Sequence, residues 1–385
     1  MDWLGLSVYA SNLIFLTVCV KEEIIMTQKM RFILTPCFFM LLFLLSLNLN
    51  VLEALAESPR RIFILHSYES GHVCGQPQHD GVVAALKKAG FEEKENLEIK
   101  TYCMDTKRKN NTPELIEEQA RIALKKIDSF RPDVLVTLDD NAFRTVALKL
   151  VDRPIPIVFC GMNGQPENYN KSKRFMDSRS EPGHNITGVY EKLHFADAIR
   201  VHSKLFPGLK KVLVFLDTSP TGRAILEQIK LEIAREKISC SYEIKVSENW
   251  EDYQKGIFSA NKDSEVDVIY PAALLLKDRN GTTYTAPQIF AWTVKNSKKP
   301  EIALNYAFTR LGLFGGAAVD FYAMGLQAGQ MAAAIFRGKD PGKIPIEEAE
   351  RYALVFNVGR AKQLGIEIPS DVLMSADEVV VEKKR

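Results

Sequence analysis

The chain has 385 residues, 46% hydrophobic and 25% charged, with 50 Lys plus Arg against 48 Asp plus Glu and a formal net charge of +2. These are the proportions of a globular protein, since a disordered chain needs lower hydrophobicity and a larger net charge. A balance this close to neutral gives no global field to attract DNA, RNA or an anionic membrane, so nucleic acid is not an expected partner; the length suits roughly two or three domains.

Residues 1–29 contain an apolar stretch that reads as an upstream extension from a start set too early, because Met26 or Met30 opens an ordinary leader. Lys29 and Arg31 then precede a long apolar run ending in Ala54-Leu55-Ala56, the pattern of a signal peptide over 30–56, with cleavage expected between Ala56 and Glu57. The run is longer than the roughly 7–15 residues of a cleaved signal, so an uncleaved membrane anchor is the alternative. Cys37 lies inside the run and not after a small-residue cleavage site, which argues against a lipid anchor. The leader takes Cys19 and Cys37 with it and leaves Cys74, Cys103, Cys160 and Cys240, none in C-x-x-C spacing. Cys74 follows the first expected strand and Cys103 ends the second, so in an oxidising compartment they either pair or remain thiols.

Downstream, short β-branched runs alternate with amphipathic segments of helical period. Strands are expected at 61–66, 97–102, 134–138 and 155–159, and helices at 78–89, 113–130 and 141–151. Pro113 and the glutamates after it suit a helix start, and Gly90 after two lysines and an alanine suits a stop. Residues 164–185 turn polar and read as a crossing between lobes. A second series follows: helices at 195–206, 221–236, 251–261 and 285–295, and strands at 212–216, 241–246 and 266–270. Two such series imply an α/β fold of two doubly wound parallel-sheet lobes joined by a hinge, with ligands taken at the carboxyl ends of the strands.

Several segments together resemble one family, the ABC transporter substrate-binding proteins related to tryptophan and tyrosine uptake. They are Leu65-His66-Ser67-Tyr68, Thr137-Leu138-Asp139-Asp140-Asn141-Ala142, Val158-Phe159-Cys160-Gly161-Met162-Asn163, Asn185-Ile186-Thr187-Gly188-Val189, Gly315-Gly316, the stretch from Gly325 to Gly338, Ala361-Lys362-Gln363-Leu364-Gly365-Ile366-Glu367-Ile368-Pro369 and Ala376-Asp377-Glu378-Val379. The resemblance covers about residues 60–380 and implies the type I periplasmic-binding fold, with a long helix at 319–337 returning to the first lobe and the chain from about 344 going back to the second. It places lobe 1 at 57–185 plus 315–340 and lobe 2 at 186–314 plus 341–380. It implies a periplasmic, monomeric protein that binds a small organic solute such as an amino acid and hands it to an ABC permease. A sensory module of the same fold, reporting to a membrane signalling partner, is the alternative.

The expected contacts lie at the strand ends. Ser67 and Tyr68 offer a hydroxyl and a ring, or simply cap the sheet edge. Asp139, Asp140 and Asn141 offer a carboxylate to a ligand ammonium, with helix capping as the plain role for one of them. Gly161 permits close approach of the backbone, and Asn163 offers both donor and acceptor groups. Glu191, Asp217, Thr218 and Ala272 are the matching ends in the second lobe, with Ser219 beside Thr218 as anion binder or cap. Asn305 follows a strand, and Gly316 is a hinge or close-approach position. There is no G-x-S-x-G, H-E-x-x-H, G-x-x-x-x-G-K-[ST] or G-x-G-x-x-G, so no enzyme activity, cofactor or metal is expected. His66, His72 and His79 are too irregularly spaced for a local metal site.

Overall fold

The computed structural model describes residues 58–381, so the expected extension and signal peptide lie outside the described residues. The first sheet is wholly parallel and has six strands, in the spatial order Glu347–Glu348, Ile186–Tyr190, Ile157–Met162, Val134–Leu138, Arg60–His66, Leu97–Cys103. In chain order its parts are β1 (Arg60–His66), α1 (Gly75–Lys88), β2 (Leu97–Cys103), α2 (Pro113–Phe130), β3 (Val134–Leu138), α3 (Asp139–Thr145), β4 (Ile157–Met162), α4 (Pro166–Ser172) and β5 (Ile186–Tyr190). β3, β4 and β5 are buried along their whole length, as a parallel sheet covered on both faces requires. Pro113 opens α2 behind Thr112, whose side chain accepts the Leu115 amide. Helix α1 begins three residues before its expected start because Pro77 is tolerated in a first turn.

The second lobe holds α5 (Phe195–Leu205), β6 (Lys211–Asp217), α6 (Pro220–Arg235), β7 (Ser241–Ser247), α7 (Trp250–Lys262), β8 (Val266–Pro271), the hairpin β9 (Leu275–Lys277) and β10 (Thr283–Thr285), α8 (Ala286–Asn296) and α9 (Ala307–Arg310). Its sheet runs β7-β6-β8 in parallel and continues through bridges at Glu301, Ile302 and Asn305 to β11 (Gly315–Val319). The remaining elements are α10 (Phe321–Phe336), β12 (Glu347–Glu348), β13 (Tyr352–Asn357), α11 (Val358–Leu364), α12 (Ser370–Met374) and β14 (Glu378–Val380). β13 pairs with β11 antiparallel and with β14 parallel.

Strand pairing corrects several expected boundaries. The polar stretch at 164–185 does not cross between lobes, because β5 after it pairs with β4, and the chain leaves lobe 1 only after Tyr190. Residues 315–319 belong to the second sheet, and only α10 returns to the first lobe. There α10 lies against α1 at a spacing only glycine allows: a Cβ on Gly81 would come 2.3 Å from the Tyr322 carbonyl, and one on Gly325 2.1 Å from the Gln78 carbonyl. The final return comes after β12, which still pairs with β5, and so falls at about residue 350 and not at 341. The single helix expected at 141–151 is α3 followed by a separate turn of 3-10 helix, Ala147–Leu150. Cys74, Cys103, Cys160 and Cys240 are all free thiols, so the Cys74–Cys103 pair does not form.

Candidate functional site

The strand ends of the first lobe and the first crossing segment meet in one buried polar cluster. Asp139 sits at the end of β3 in a left-handed conformation, φ 65°, and is 3% exposed. A backbone held there in a non-glycine residue is uncommon and accompanies functional constraint. Gln78 of α1 donates to its Oδ1 at 3.2 Å, while Oδ2 is buried with no hydrogen-bond partner. Gly161 makes room for this contact, because a Cβ there would lie 2.5 Å from the Gln78 amide nitrogen. Glu191, the first residue after β5, is 4% exposed and in no ion pair among the described residues. Burial pushes Asp139 up to about 7 against the nearby Lys107 cation, helped by the Asp140 charge. Burial likewise pushes Glu191 up to about 8, and the charges of Asp139 and Asp140 add to it. Desolvated carboxylates crowded together are costly to ionise until a cation arrives.

Around this pair stand Tyr68, Cys74, Cys160 and Lys107. The Tyr68 phenol is raised by burial first, then by Asp139, Asp140, Cys74 and Glu191. Its ring packs 4.4 Å from that of His72 and carries the Lys107 ammonium 3.9 Å above its centroid. From the second lobe Tyr270, raised by burial, also feels Glu191. Tyr306, raised by burial as well, feels Cys74. These two tyrosines bring lobe 2 to the same cluster.

The other expected residues have local work. Ser67 donates to the Leu138 carbonyl at 2.7 Å and accepts the Ala142 amide at 2.8 Å, so its hydroxyl is spent joining β1 to α3. Asn141 donates to Thr106 at 2.9 Å and accepts from Arg144 at 3.0 Å. Asp140 accepts from the Asn163 side chain at 2.6 Å and from the Tyr169 hydroxyl. The Asn163 carbonyl in turn accepts from Gln228 of α6 at 2.6 Å, and Asn168 donates to Glu227 at 3.0 Å, which ties the lobes along that helix. Asp217 accepts amides from Ser219 at 2.8 Å, Leu274 at 2.7 Å and Leu275 at 3.1 Å. Thr218 is exposed, and Ser219 caps α6 by accepting the Gly222 amide at 3.1 Å. Ala272 is buried, with its amide directed at the Phe215 carbonyl at 2.9 Å. Asn305 is buried with Oδ1 unpartnered. Gly316 lies beneath α5, where a Cβ would strike His202 at 2.4 Å, so it is a packing position away from the cluster.

Sequence reading passed over Gln78, Lys107 and Tyr270. Gln78 is on the buried face of a helix with no motif, and Lys107 stands in a run of exposed cations, so neither has a local signal. Among the described residues no group of three or more His, Cys, Asp or Glu side chains is placed to hold a metal ion, and no helix is long and apolar enough to cross a membrane.

A two-lobed α/β fold with a polar cluster at the strand ends defines a class of ligand-binding proteins, and comparison gives the family. The model of the family described as ABC transporter substrate binding protein matches residues 72–380, and the chain belongs to that family. It is 20% identical over 301 residues to a tyrosine-binding protein of Clostridioides difficile, covering 78% of each chain. Among solved structures it is similar to a ligand-free, open substrate-binding protein with adhesive properties from Clostridium difficile, with TM-score 0.63, 19% identity, and coverage of 85% of this chain and 100% of that one. It is also similar to an ABC domain from Streptococcus pneumonia in complex with L-Trp, with TM-score 0.61, 19% identity, and coverage of 84% and 100%. The family consists of extracytoplasmic proteins that bind small ligands.

Proposed function

We propose that this protein is the exported, periplasmic solute-binding component of an ABC uptake system, that it closes its two lobes around an amino acid with an aromatic side chain, and that it works as a monomer with a membrane permease. The observation that carries the reading is the pair of buried carboxylates, Asp139 and Glu191, with no ion-pair partner among the described residues. Such a pair favours a ligand with an ammonium group, because the cation removes the cost of holding two charges out of water. The tyrosine-binding and L-Trp-bound relatives support an aromatic amino acid. Of the strand-end residues, Asp139, Glu191, Tyr68 and Asn305 retain groups open to a ligand, whereas Ser67, Asp217 and Asn141 hold the scaffold.

Closure follows if the ligand touches both lobes only when they are together. Titration calorimetry with L-tyrosine and L-tryptophan tests the class, and small-angle scattering with saturating ligand tests the motion. Binding with a reduced radius of gyration is expected; binding without compaction sinks the closure mechanism, and no heat from either amino acid sinks the ligand class.

A further inference from the structure

Two buried polar atoms of the cluster flank Gly75 without hydrogen-bond partners, and the expected contacts do not use them. Helix α1 opens at Gly75, which is buried and is not among the residues with positive φ. A Cβ at Gly75 would lie 3.3 Å from His66 Nδ1 and 3.7 Å from Asp139 Oδ2. Apart from the glycine's chain neighbours and its own helix backbone, nothing else comes within 4 Å. Both atoms are buried without a hydrogen-bond partner, in residues 2% and 3% exposed. Native folds leave few buried polar atoms orphaned, so two facing the same glycine point to a guest that satisfies both.

The chemistry of the guest follows from the two atoms. His66 Nε2 is 3.1 Å from His79 Nδ1, and burial, then the His79 charge, pushes the His66 ring down to about 3, so it is neutral near pH 7. In the tautomer whose Nε2–H donates to His79, Nδ1 is an acceptor, and that is the form a cationic donor selects. Asp139 Oδ2 is also an acceptor, and Gln78 fixes the orientation of that carboxylate through Oδ1. Two acceptors, one of them a carboxylate, call for a cationic donor. The start of α1 does not oppose a cation as strongly as a bare helix N-terminus does, because its first-turn donors are used locally. The Gln76 amide donates to the His72 carbonyl at 2.9 Å, residue 77 is proline, and the Gln78 amide donates to the Cys74 carbonyl at 3.4 Å.

We propose that the primary ammonium group of the ligand seats over Gly75, donating hydrogen bonds to His66 Nδ1 and Asp139 Oδ2. This rests on the amino-acid reading above and names residues that set its specificity. Gly75 acts here by lacking a side chain, since any larger residue occupies the ammonium's place.

The test is Gly75→Ala, which puts a methyl 3.3 Å from His66 Nδ1, a tight contact that a shift of the ring by a few tenths of an ångström relieves, and which suits a helix better than glycine does. L-tyrosine, tyramine and 3-(4-hydroxyphenyl)propionate are titrated into wild type and variant, with the melting temperature of each ligand-free protein as the control. The variant is expected to melt no lower than wild type, to bind both amines about 10- to 100-fold more weakly, and to leave the amine-free acid unchanged. Equal affinity of the two proteins for L-tyrosine overturns the subsite and leaves the amino-acid reading standing. An equal loss for the amine-free acid also overturns it, because the methyl then obstructs something other than an ammonium. Wild type that binds neither L-tyrosine nor tyramine, with L-tryptophan also silent, overturns both readings. A ligand-bound crystal structure with a fixed water over Gly75 and the ammonium elsewhere overturns the subsite alone.

Discussion

Asp139 and Asp217 occupy corresponding places, each buried at the carboxyl end of a central parallel strand, yet their surroundings differ. Asp217 accepts three backbone amides with its two oxygens. Asp139 accepts one side-chain amide and keeps an oxygen with no partner. The same contrast divides the buried glutamates: Glu301 is 0% exposed but forked to Arg360 at 2.5 and 3.1 Å, whereas Glu191 has no ion pair among the described residues. Asp217 and Glu301 are fasteners, whereas Asp139 keeps an oxygen without a partner and Glu191 stands outside any ion pair among the described residues. A buried polar group left unpaired costs stability, and Asn305 of the second lobe shares with Asp139 an oxygen that has no partner.

Four experiments break or sharpen this contrast. The largest effect is expected from Arg360→Met, which strands the Glu301 carboxylate in the core; chemical denaturation is expected to show a loss of about 3–5 kcal/mol, with ligand affinity of the folded fraction unchanged. Asp217→Ala takes the acceptor from three part-buried amides and is expected to cost about 1–2 kcal/mol by the same measurement. Asp139→Asn should do the reverse at alkaline pH, raising the ligand-free melting temperature while weakening ligand binding.

The sign of that third effect comes from proton linkage. Burial raises Asp139 from 3.8 to about 7 and Glu191 from 4.5 to about 8. The folded state therefore binds protons more tightly than the unfolded chain, and the stability these two groups contribute is full below about pH 4 and lost as pH rises toward about 8. The ligand-free protein is expected to lose stability from this source between pH 5 and pH 8, and Asp139→Asn with Glu191→Gln should flatten the profile. A melting temperature rising over that interval, after correction for other groups, would refute the assignment. The smallest effect belongs to Gln228→Ala, which removes the bond to the Asn163 carbonyl across the lobes. About 1 kcal/mol is expected, read as roughly fivefold faster ligand release in a stopped-flow trace.

Much of the fold is legible in the sequence. The runs 61–66, 97–102 and 134–138 are β-branched and apolar, and they pair as β1, β2 and β3 within a residue of the expected bounds. The pattern is weakest where partner strands are short or antiparallel. β11 is Gly-Gly-Ala-Ala-Val and β12 only two residues, so neither has a periodicity to recognise, and the expected boundaries put the first in lobe 1 and the second in lobe 2. The polar stretch at 164–185 misled because its composition is that of a linker although its ends are pinned in one lobe. Met176 and Phe175 are buried there against the same core as Phe143 and Phe159. The candidate site is half legible: Tyr68, Asp139 and Glu191 follow from strand-end logic, but nothing in Ser67 or Asp217 tells a free polar group from one already spent on the backbone.

The sequence alone determined the class of fold and the strand ends where polar groups would gather, because period-two and period-3.6 patterns are local and each apolar face must be buried. The tertiary structure decided which of those groups remain unpaired. Whether an oxygen finds an amide depends on residues far apart in the chain, as with Ser67 and Ala142 or Asp217 and Leu274, and the approach of His66 and Asp139 to Gly75 exists only between packed elements.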